Sequence, residues 1–451
     1  KSKECYLADA LINSVPLAWV SGQERSPTGN VFLTGRAGTG KTTLLRKFLH
    51  EIGEQAVVLA PTGIAAMNVG GQTIHSFFKF PPRLLDATDV KRLRNARLIR
   101  KLDTIIIDEI SMVRADMLDA IDKSLQLNRG SKKPFGGVRM VLCGDLHQLP
   151  PVVSGAEEEI LAERYANPYF FQAEAFQSGA FALVALKHVY RQSDPTFLKL
   201  LNGIRRARLD EEDVEVLNSR VSGKSAIDAS ETHVVLTPNN AAAYRINQAR
   251  LAELDGDPYA FQAKVEGQFE DKAHPTESIL ELKKGARVML IKNDPQGRWV
   301  NGSLGTVEGF DDEDDAVFVK IDKQTHRIEP AVWEKYRYEL DRETEQVDRS
   351  VVGSFKQLPI RLAYAVTIHK SQGLTLPKVY IDFDHGMFAH GQAYVAFSRA
   401  TSLEGLELSR SLQRRDLVFD RRAFDFGALD VVEDHENYLI AGFQPRENEL
   451  L

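Results

Sequence analysis

The octapeptide GRAGTGKT, Gly35 to Thr42, places three glycines, a lysine and hydroxyl side chains between an apolar run and a helix-like run. Glycines let backbone N–H groups wrap phosphate oxygens, and the N-terminus of a following helix adds positive potential. Lys41 then reaches the β- and γ-phosphates of a nucleoside triphosphate, and the Thr42 hydroxyl ligates Mg2+. Gly35, Ala37, Gly38, Thr39, Gly40 and Thr43 complete the cradle. In IIIDE (105–109), three isoleucines carry Asp108 and Glu109 to the end of a strand, where open α/β sheets bind ligands. Asp108 is placed to hold the metal, and Glu109 to orient or deprotonate an attacking water. A third run, VLCGDLHQLPPV (141–152), ends at Asp145 and delivers Gln148 into a turn stiffened by Pro150 and Pro151. A neutral amide there can hydrogen-bond both a γ-phosphate and water, and so report which is present.

These groups need a parallel sheet to hold them. Short apolar strands ending in polar loops recur at 30–35, 56–63, 103–109 and 139–145, with helical patterns at 41–52 and 112–127 between them. Strands buried on both faces and alternating with helices read as a parallel α/β sheet. The signature returns at 181–191, 232–240, 363–373 and 378–384, followed by a helix-like YVAFSRA (394–400). Between these later elements, residues 283–350 hold short alternating strands with Gly and Asp turns, which read as a small antiparallel β-barrel. The expected architecture is α/β. A first domain covers 1–187, with a wedge-like insertion at about 77–100. A second is built from 188–282 and 351–430 around the inserted barrel, and 431–451 forms a tail.

A chain of 451 residues is long enough for several such units. No apolar run approaches the length of a membrane span, and no signal-peptide pattern opens the sequence. Two cysteines, Cys5 and Cys143, cannot build a disulfide framework, so a reducing, cytoplasmic compartment is expected. The net charge of −6 argues against a basic nucleic-acid coat but leaves room for a local basic channel.

One phosphate loop beside two α/β halves suggests a nucleotide clamped between them. Arginines supplied from across a cleft stabilise charge on the transferring phosphoryl group. Arg191, in HVYRQSD, and Arg399, in QAYVAFSRAT, are placed for this, with Gln392 and Arg399 expected on one helix face. TIHKSQG (367–373) ends a strand with hydroxyl, imidazole, ammonium and amide groups and closes on Gly373, assigned to the nucleotide. That mix suits a phosphodiester backbone or a link between sites. Two other classes remain open: a phosphotransferase acting on a small acceptor, and a nucleic-acid-dependent ATPase switch that remodels partners without unwinding.

The ordered set GRAGTGKT, APTGIAAMNVGGQTIHSFF, IIIDEISM, PFGGVRMVLCGDLHQLPPV, VYRQSD, VTIHKSQGLT and QAYVAFSRAT resembles motifs I to VI of a superfamily 1 helicase. Residues 116–152 are similar to the signature of the Pif (petite integration frequency) family, with the RecD-like branch as its near relative. The resemblance implies a monomeric core of two RecA-like domains, with a wedge and an inserted barrel of the Src-homology type. It also implies ATP with Mg2+, a nucleoid-associated setting, and translocation 5′ to 3′ on single-stranded DNA. Tailed or forked duplex would be the unwinding substrate, and the residues do not choose between forks, RNA–DNA hybrids and G-quadruplexes. Many relatives carry an adenine-reading glutamine before the phosphate loop. The sole upstream glutamine here is Gln23, in SGQERSPTGN.

Single-stranded DNA is then expected to lie across both domains, held by backbone contacts that tolerate any sequence and by some stacking. Thr62, Gly63, Thr73, His75 and Ser76 offer hydroxyls, an imidazole and amides in the first half. Phe77 and Phe80, with Phe78 between them, stack on bases, line the wedge or pack as core. Thr237, Asn239, Thr367, His369 and Lys370 are the matching contacts in the second half. KRLRNARLIRK (91–101), with six basic residues in eleven, reads either as a solvated helix face or as an element that attracts duplex. Trp299 and Asn301 read as barrel structure in preference to a DNA contact.

Overall fold

The computed structural model describes residues 29–52, 56–94, 96–271, 274–299, 301–311, 315–340, 347–384, 386–424, 428–434 and 438–444. A first sheet runs in the order Phe181–Leu186, Asn30–Gly35, Arg139–Cys143, Thr104–Ile107, Ala56–Ala60 and Gln72–Thr73, with every neighbouring pair parallel. Successive residues of each strand enter opposite cores. Val31, Leu33 and Ile106 pack with Leu44 and Phe48 of the helix Lys41–Ile52. Phe32, Ile105 and Ile107 pack with Leu118 and Ile121 of the helix Ala115–Arg129. Burial on both faces is why these strands read as continuous apolar runs.

The second sheet is also parallel, in the order Ala365–Thr367, Val234–Thr237, Val379–Ile381 and Leu406–Leu408. Two RecA-like halves therefore stand in tandem, and antiparallel sheets interrupt the second. One has five strands, Gln324–Ile328, Ala316–Ile321, Leu304–Asp311, Arg287–Leu290 and Ile360–Leu362. Another joins the long hairpin Ala331–Leu340 and Val347–Gln357 to Lys264–Gly267. Ile279–Leu282 pairs with Tyr259–Gln262.

The insertion thus begins earlier and ends later than 283–350. Its first strands carry many exposed positions and look like polar linker. Its last strand, Ile360–Leu362, runs almost directly into Ala365–Thr367, so two strands of different sheets read as one apolar stretch. The hairpin strand Ala331–Leu340 lies alongside Gln72–Thr73 and the helices Gly63–Asn68 and Ala96–Lys101 of the first half.

The expected tail is corrected as well. Ala428–Asp434 and Tyr438–Gln444 form an antiparallel hairpin, and its second strand pairs with Phe181–Leu186 at the edge of the first sheet. That edge has unpaired main-chain groups to offer, and nothing local in the sequence announces it.

The wedge-like segment after residue 80 is fixed by polar side chains of the helix Ala115–Arg129. Asp116 accepts from the Leu85 amide at 2.9 Å and Asn128 from the Leu93 amide at 2.8 Å. Arg129 donates to the carbonyls of Ile99 at 2.7 Å and Leu102 at 2.9 Å. Leu98 and Ile99 of the basic segment are buried, so Arg97, Arg100 and Lys101 lie on the remaining face of a short helix, Ala96–Lys101, while Lys91, Arg92 and Arg94 precede it. Among the described residues no helix is long and apolar enough to cross a membrane.

The two halves meet backbone to backbone at Gly391, which has φ 71°; a Cβ there would stand 2.3 Å from the carbonyl oxygens of His147 and Gln148. Gly391→Ala is expected to cost about 2–5 kcal/mol, the sum of left-handed strain and overpacking. Denaturant titration reads this directly, and an unchanged midpoint would show that the halves do not touch there.

Candidate active site and nucleic-acid face

The loop after Asn30–Gly35 folds back over the start of the helix Lys41–Ile52. Lys41 Nζ donates to the Gly35 carbonyl at 2.7 Å and the Arg36 carbonyl at 3.0 Å, and Thr39 Oγ1 donates to the Arg36 carbonyl at 2.9 Å. Gly38, at φ 79°, cannot be replaced cheaply, because a Cβ would sit 2.6 Å from Cβ of Arg191. Thr42 is half-buried and Thr43 exposed. Gln23 lies outside the described residues.

Asp108 continues the sheet, its amide donating to the Leu59 carbonyl at 2.9 Å, and its buried carboxylate accepts from the Glu109 amide at 2.9 Å. Burial pushes the Asp108 carboxyl up. Glu109 has φ 53°, a left-handed conformation that a non-glycine residue adopts at a cost and that marks strained, often functional positions. Loss of hydration and the adjacent Asp108 charge push its carboxyl up to about 7. That is the range in which a carboxylate serves as a base near neutral pH. Asp145 is treated oppositely: burial pushes it up, but Arg205, Lys41 and His147 outweigh this and hold it at about 2.

The second half closes over these groups. Gln372 Nε2 donates to Glu109 Oε2 at 2.9 Å and to Gln148 Oε1 at 3.1 Å, and Gln148 Nε2 reaches Asp145 Oδ2 at 3.4 Å. The Tyr394 hydroxyl accepts from the Ala37 amide in the phosphate loop at 2.9 Å. Arg191 donates to Thr375 Oγ1 at 2.9 Å, the Ser398 carbonyl at 3.2 Å and the Gly373 carbonyl at 3.3 Å. Arg399, 1% exposed, donates to the Val395 carbonyl at 2.8 Å, the Leu374 carbonyl at 3.2 Å and Ser398 Oγ at 2.7 Å.

Among the described residues neither guanidinium has a carboxylate partner. Burial and the charge of Arg191 drive Arg399 well down from its ordinary range, and burial takes Arg191 to about 10. Two unpaired cations beside a phosphate loop are what an anionic phosphoryl group would neutralise. The expected helix face is corrected: the helix ends at Phe397, Arg399 lies beyond it, and Gln392 accepts locally from the Phe388 and Ala389 amides at 3.0 and 3.3 Å.

The nucleic-acid candidates divide. Thr62 caps the helix Gly63–Asn68 by accepting from the Ala65 amide at 3.2 Å, and Thr73 caps Ile74–Phe78 through the Ser76 amide at 3.3 Å. The His75 ring contacts the Phe80 carbonyl at 3.3 Å, and Ser76 Oγ accepts from Gln72 at 2.7 Å. Phe77 and Phe80 are corrected as stacking residues: each is 4% exposed and packed with Phe78 in the core, offering no face to a base.

In the second half, Asn239 caps the helix Asn240–Ala252 and donates to Asp384 Oδ2 at 2.7 Å. Thr367 accepts from the Lys370 amide at 3.3 Å, and Lys370 is exposed. Thr237 is fully buried, and its hydroxyl has no hydrogen-bond partner among the described residues. His369 stacks at 6.4 Å on Phe388, which is 66% exposed and supplies the aromatic surface that Phe77 and Phe80 do not.

Sequence reading counted the Gln372 amide only within a mix suited to a phosphodiester or a link between sites, and missed Tyr394, Arg205 and Phe388. Gln372 and Tyr394 lie inside quoted motifs, but nothing in a motif names a partner in the other half. Arg205 ends an ordinary amphipathic helix, Pro195–Arg205, and gives no signal.

A model of the PIF1-like helicase family matches residues 18–214. The ATP-dependent DNA helicase Pif1 of Bdellovibrio bacteriovorus is 35% identical over 412 residues, covering 88% of each chain. Human ATP-dependent DNA helicase PIF1 is 36% identical over 391 residues, 84% of this chain and 58% of that one. The crystal structure of Bacteroides Pif1 with ADP-AlF4 superposes with a TM-score of 0.83 at 35% identity, covering 91% of this chain and 95% of that one. Bacteroides Pif1 bound to single-stranded DNA gives 0.63 at 37% identity, over 88% and 92%.

An ion pair spans the halves at this site: Arg205 to Asp145 at 3.2 Å, with side chains 15% and 0% exposed. Because Asp145 is held below its ordinary 3.8, it stabilises the fold above that value and loses the contribution as pH falls toward about 2. Arg205→Gln leaves a buried carboxylate unpaired, at a cost of about 3–5 kcal/mol near neutrality. Acid unfolding of the variant is therefore expected at higher pH than wild type; superimposable acid transitions would contradict the pairing.

Proposed function

The chain belongs to the Pif1 family of helicases, and on that premise we propose that it uses ATP hydrolysis to move 5′ to 3′ along single-stranded DNA and to open tailed or forked duplex. The observation that carries this reading is the segment 367–373. Within seven residues it holds Thr367, His369 and Lys370, assigned to DNA, and Gln372, whose amide contacts Glu109 and Gln148 in the ATP site. Whatever moves one set moves the other.

Each group has a defined task. The phosphate-loop amides and Lys41 hold the β- and γ-phosphates, with Lys41 exchanging its present carbonyl partners for phosphate oxygens. Thr42 and Asp108 are the residues that would hold Mg2+. The donor set fits a cation: burial disfavours the Asp108 carboxylate, and no side-chain cation pairs with it among the described residues. When bound, the metal neutralises charge on the phosphate oxygens.

Glu109 orients the attacking water and takes up its proton. Arg191 and Arg399 turn from second-half carbonyls toward the γ-phosphoryl group. Gln148 and Gln372 exchange hydrogen bonds as that group arrives and leaves, so closure of the cleft is tied to nucleotide state. All these groups come from one chain, which supports a monomeric core.

Two matched duplexes, one with a 5′ single-stranded tail and one with a 3′ tail, test this in the presence of ATP and Mg2+. Unwinding of the 5′-tailed duplex alone is expected. Preference for the 3′ tail overturns the polarity. If neither opens while single-stranded DNA still stimulates ATP hydrolysis, the chain is a switch and not a motor.

A further inference from the structure

Where the two halves and the insertion come together, Asn68, Asn301, Trp333, Arg361, Lys370 and Gln372 line a narrow cleft. Its enclosed part is about 60 Å³. That holds a few water molecules, the scale of one phosphate group and too small for a nucleobase. Arg361 stands on the strand Ile360–Leu362, opposite Met289. One guanidinium nitrogen donates to the Pro275 carbonyl, while Nε is buried with no hydrogen-bond partner among the described residues. Neither Arg361 nor Lys370 has a carboxylate within ion-pair distance among those residues. The acid that faces both, Glu277, is exposed and takes the Thr276 hydroxyl at 2.7 Å.

Two neighbouring cations with no carboxylate at ion-pair distance among the described residues, one of them with a buried and unpartnered Nε, are an arrangement that an anion entering the cleft would stabilise. Desolvation and the charge of Arg361 both lower Lys370, as expected for cations facing one space. A phosphodiester fits: the guanidinium edge presents forked donors to its oxygens, and the ammonium adds a point charge. Arg361 lies outside every motif quoted above.

We propose that Arg361, together with Lys370, forms a backbone-phosphate subsite for single-stranded DNA in the cleft between Asn68, Asn301 and Trp333. The proposal rests on the helicase reading and adds a contact to it. The same cleft is walled by Gln372, so a phosphate seated there lies against the residue that reaches Glu109.

Binding of labelled oligo(dT) by fluorescence anisotropy, measured across a range of salt, is the test. Each phosphate contact to a single strand contributes about 0.7 to the slope of log K against log salt. Arg361→Gln is expected to lose about that much slope and to bind several-fold more weakly, roughly the effect of one charged contact. Arg361→Lys is expected to keep the slope, because a lysine also serves a phosphate. A wild-type slope in Arg361→Gln overturns the subsite. So does an Arg361→Lys variant that binds as weakly as Arg361→Gln, because the guanidinium would then be serving the Pro275 carbonyl alone.

Should Arg361→Gln fail to fold, Asn301→Asp at the exposed rim places a negative charge in the same cleft. It is expected to weaken oligo(dT) binding, and unchanged binding again overturns the proposal. Wild-type protein that shows no salt-dependent binding of oligo(dT) removes the helicase reading itself. Wild-type binding with an unaltered Arg361→Gln slope removes the subsite alone.

Discussion

Like charges are gathered on each side of one cleft, and a neutral side chain of the second half, Gln372, reaches across to the acidic side. Asp108 and Glu109 sit together at a strand end of the first half, and burial raises both carboxyls. Arg191 and Arg399 sit together in the second half, bonded to carbonyls and hydroxyls. Between them, Gln372 donates to Glu109 and Gln148. Each cluster is desolvated and, among the described residues, has no partner of opposite sign at ion-pair distance, which is unfavourable for the cluster by itself. A phosphoryl group with its metal supplies both signs at once. The cleft therefore has a reason to close on nucleotide and to loosen when it leaves.

The rest of the fold keeps that arrangement in register. Parallel strands deliver the phosphate loop, Asp108 and Asp145 at their C-terminal ends, and Val234–Thr237 and Ala365–Thr367 deliver the second half's contacts in the same manner. The halves are pinned by contacts that leave little tolerance: Gly391 against the His147 and Gln148 carbonyls, Tyr394 on the Ala37 amide, and Arg205 on Asp145. His390 adds a fourth, its Nε2 against the Leu146 carbonyl at 3.0 Å while Nδ1 accepts from the Asp420 amide at 3.0 Å. The polar residues of the helix Ala115–Arg129 are structural, since Asp116, Asn128 and Arg129 fasten the wedge-like segment to the core.

Much of this was legible in the sequence wherever chemistry and local pattern coincide. The phosphate loop needs glycines followed by Lys-Thr, the acidic pair needs a buried strand before it, and both stand where their residues place them. What escaped reading has partners far away in the chain. Gln372 and Tyr394 were visible as residues, but only folding brings them to Glu109 and Ala37. Phe77 and Phe80 were carried as DNA contacts although three phenylalanines in four positions fit a core as well as a binding face; burial decided for the core. The insertion's limits were blurred by strands of two sheets abutting at residues 362–365. The C-terminal hairpin answers to an open sheet edge that no local pattern reveals.

The most direct measurement is ATP hydrolysis by Gln372→Ala with and without single-stranded DNA, over a range of ATP concentrations. If Gln372 is the link across the cleft, DNA stimulation of kcat is lost while the KM for ATP changes little. The bonds of Gln372 go to Glu109 and Gln148 and not to the phosphate loop, so its removal leaves ground-state ATP binding in place. Full stimulation by DNA in that variant would contradict a link through Gln372.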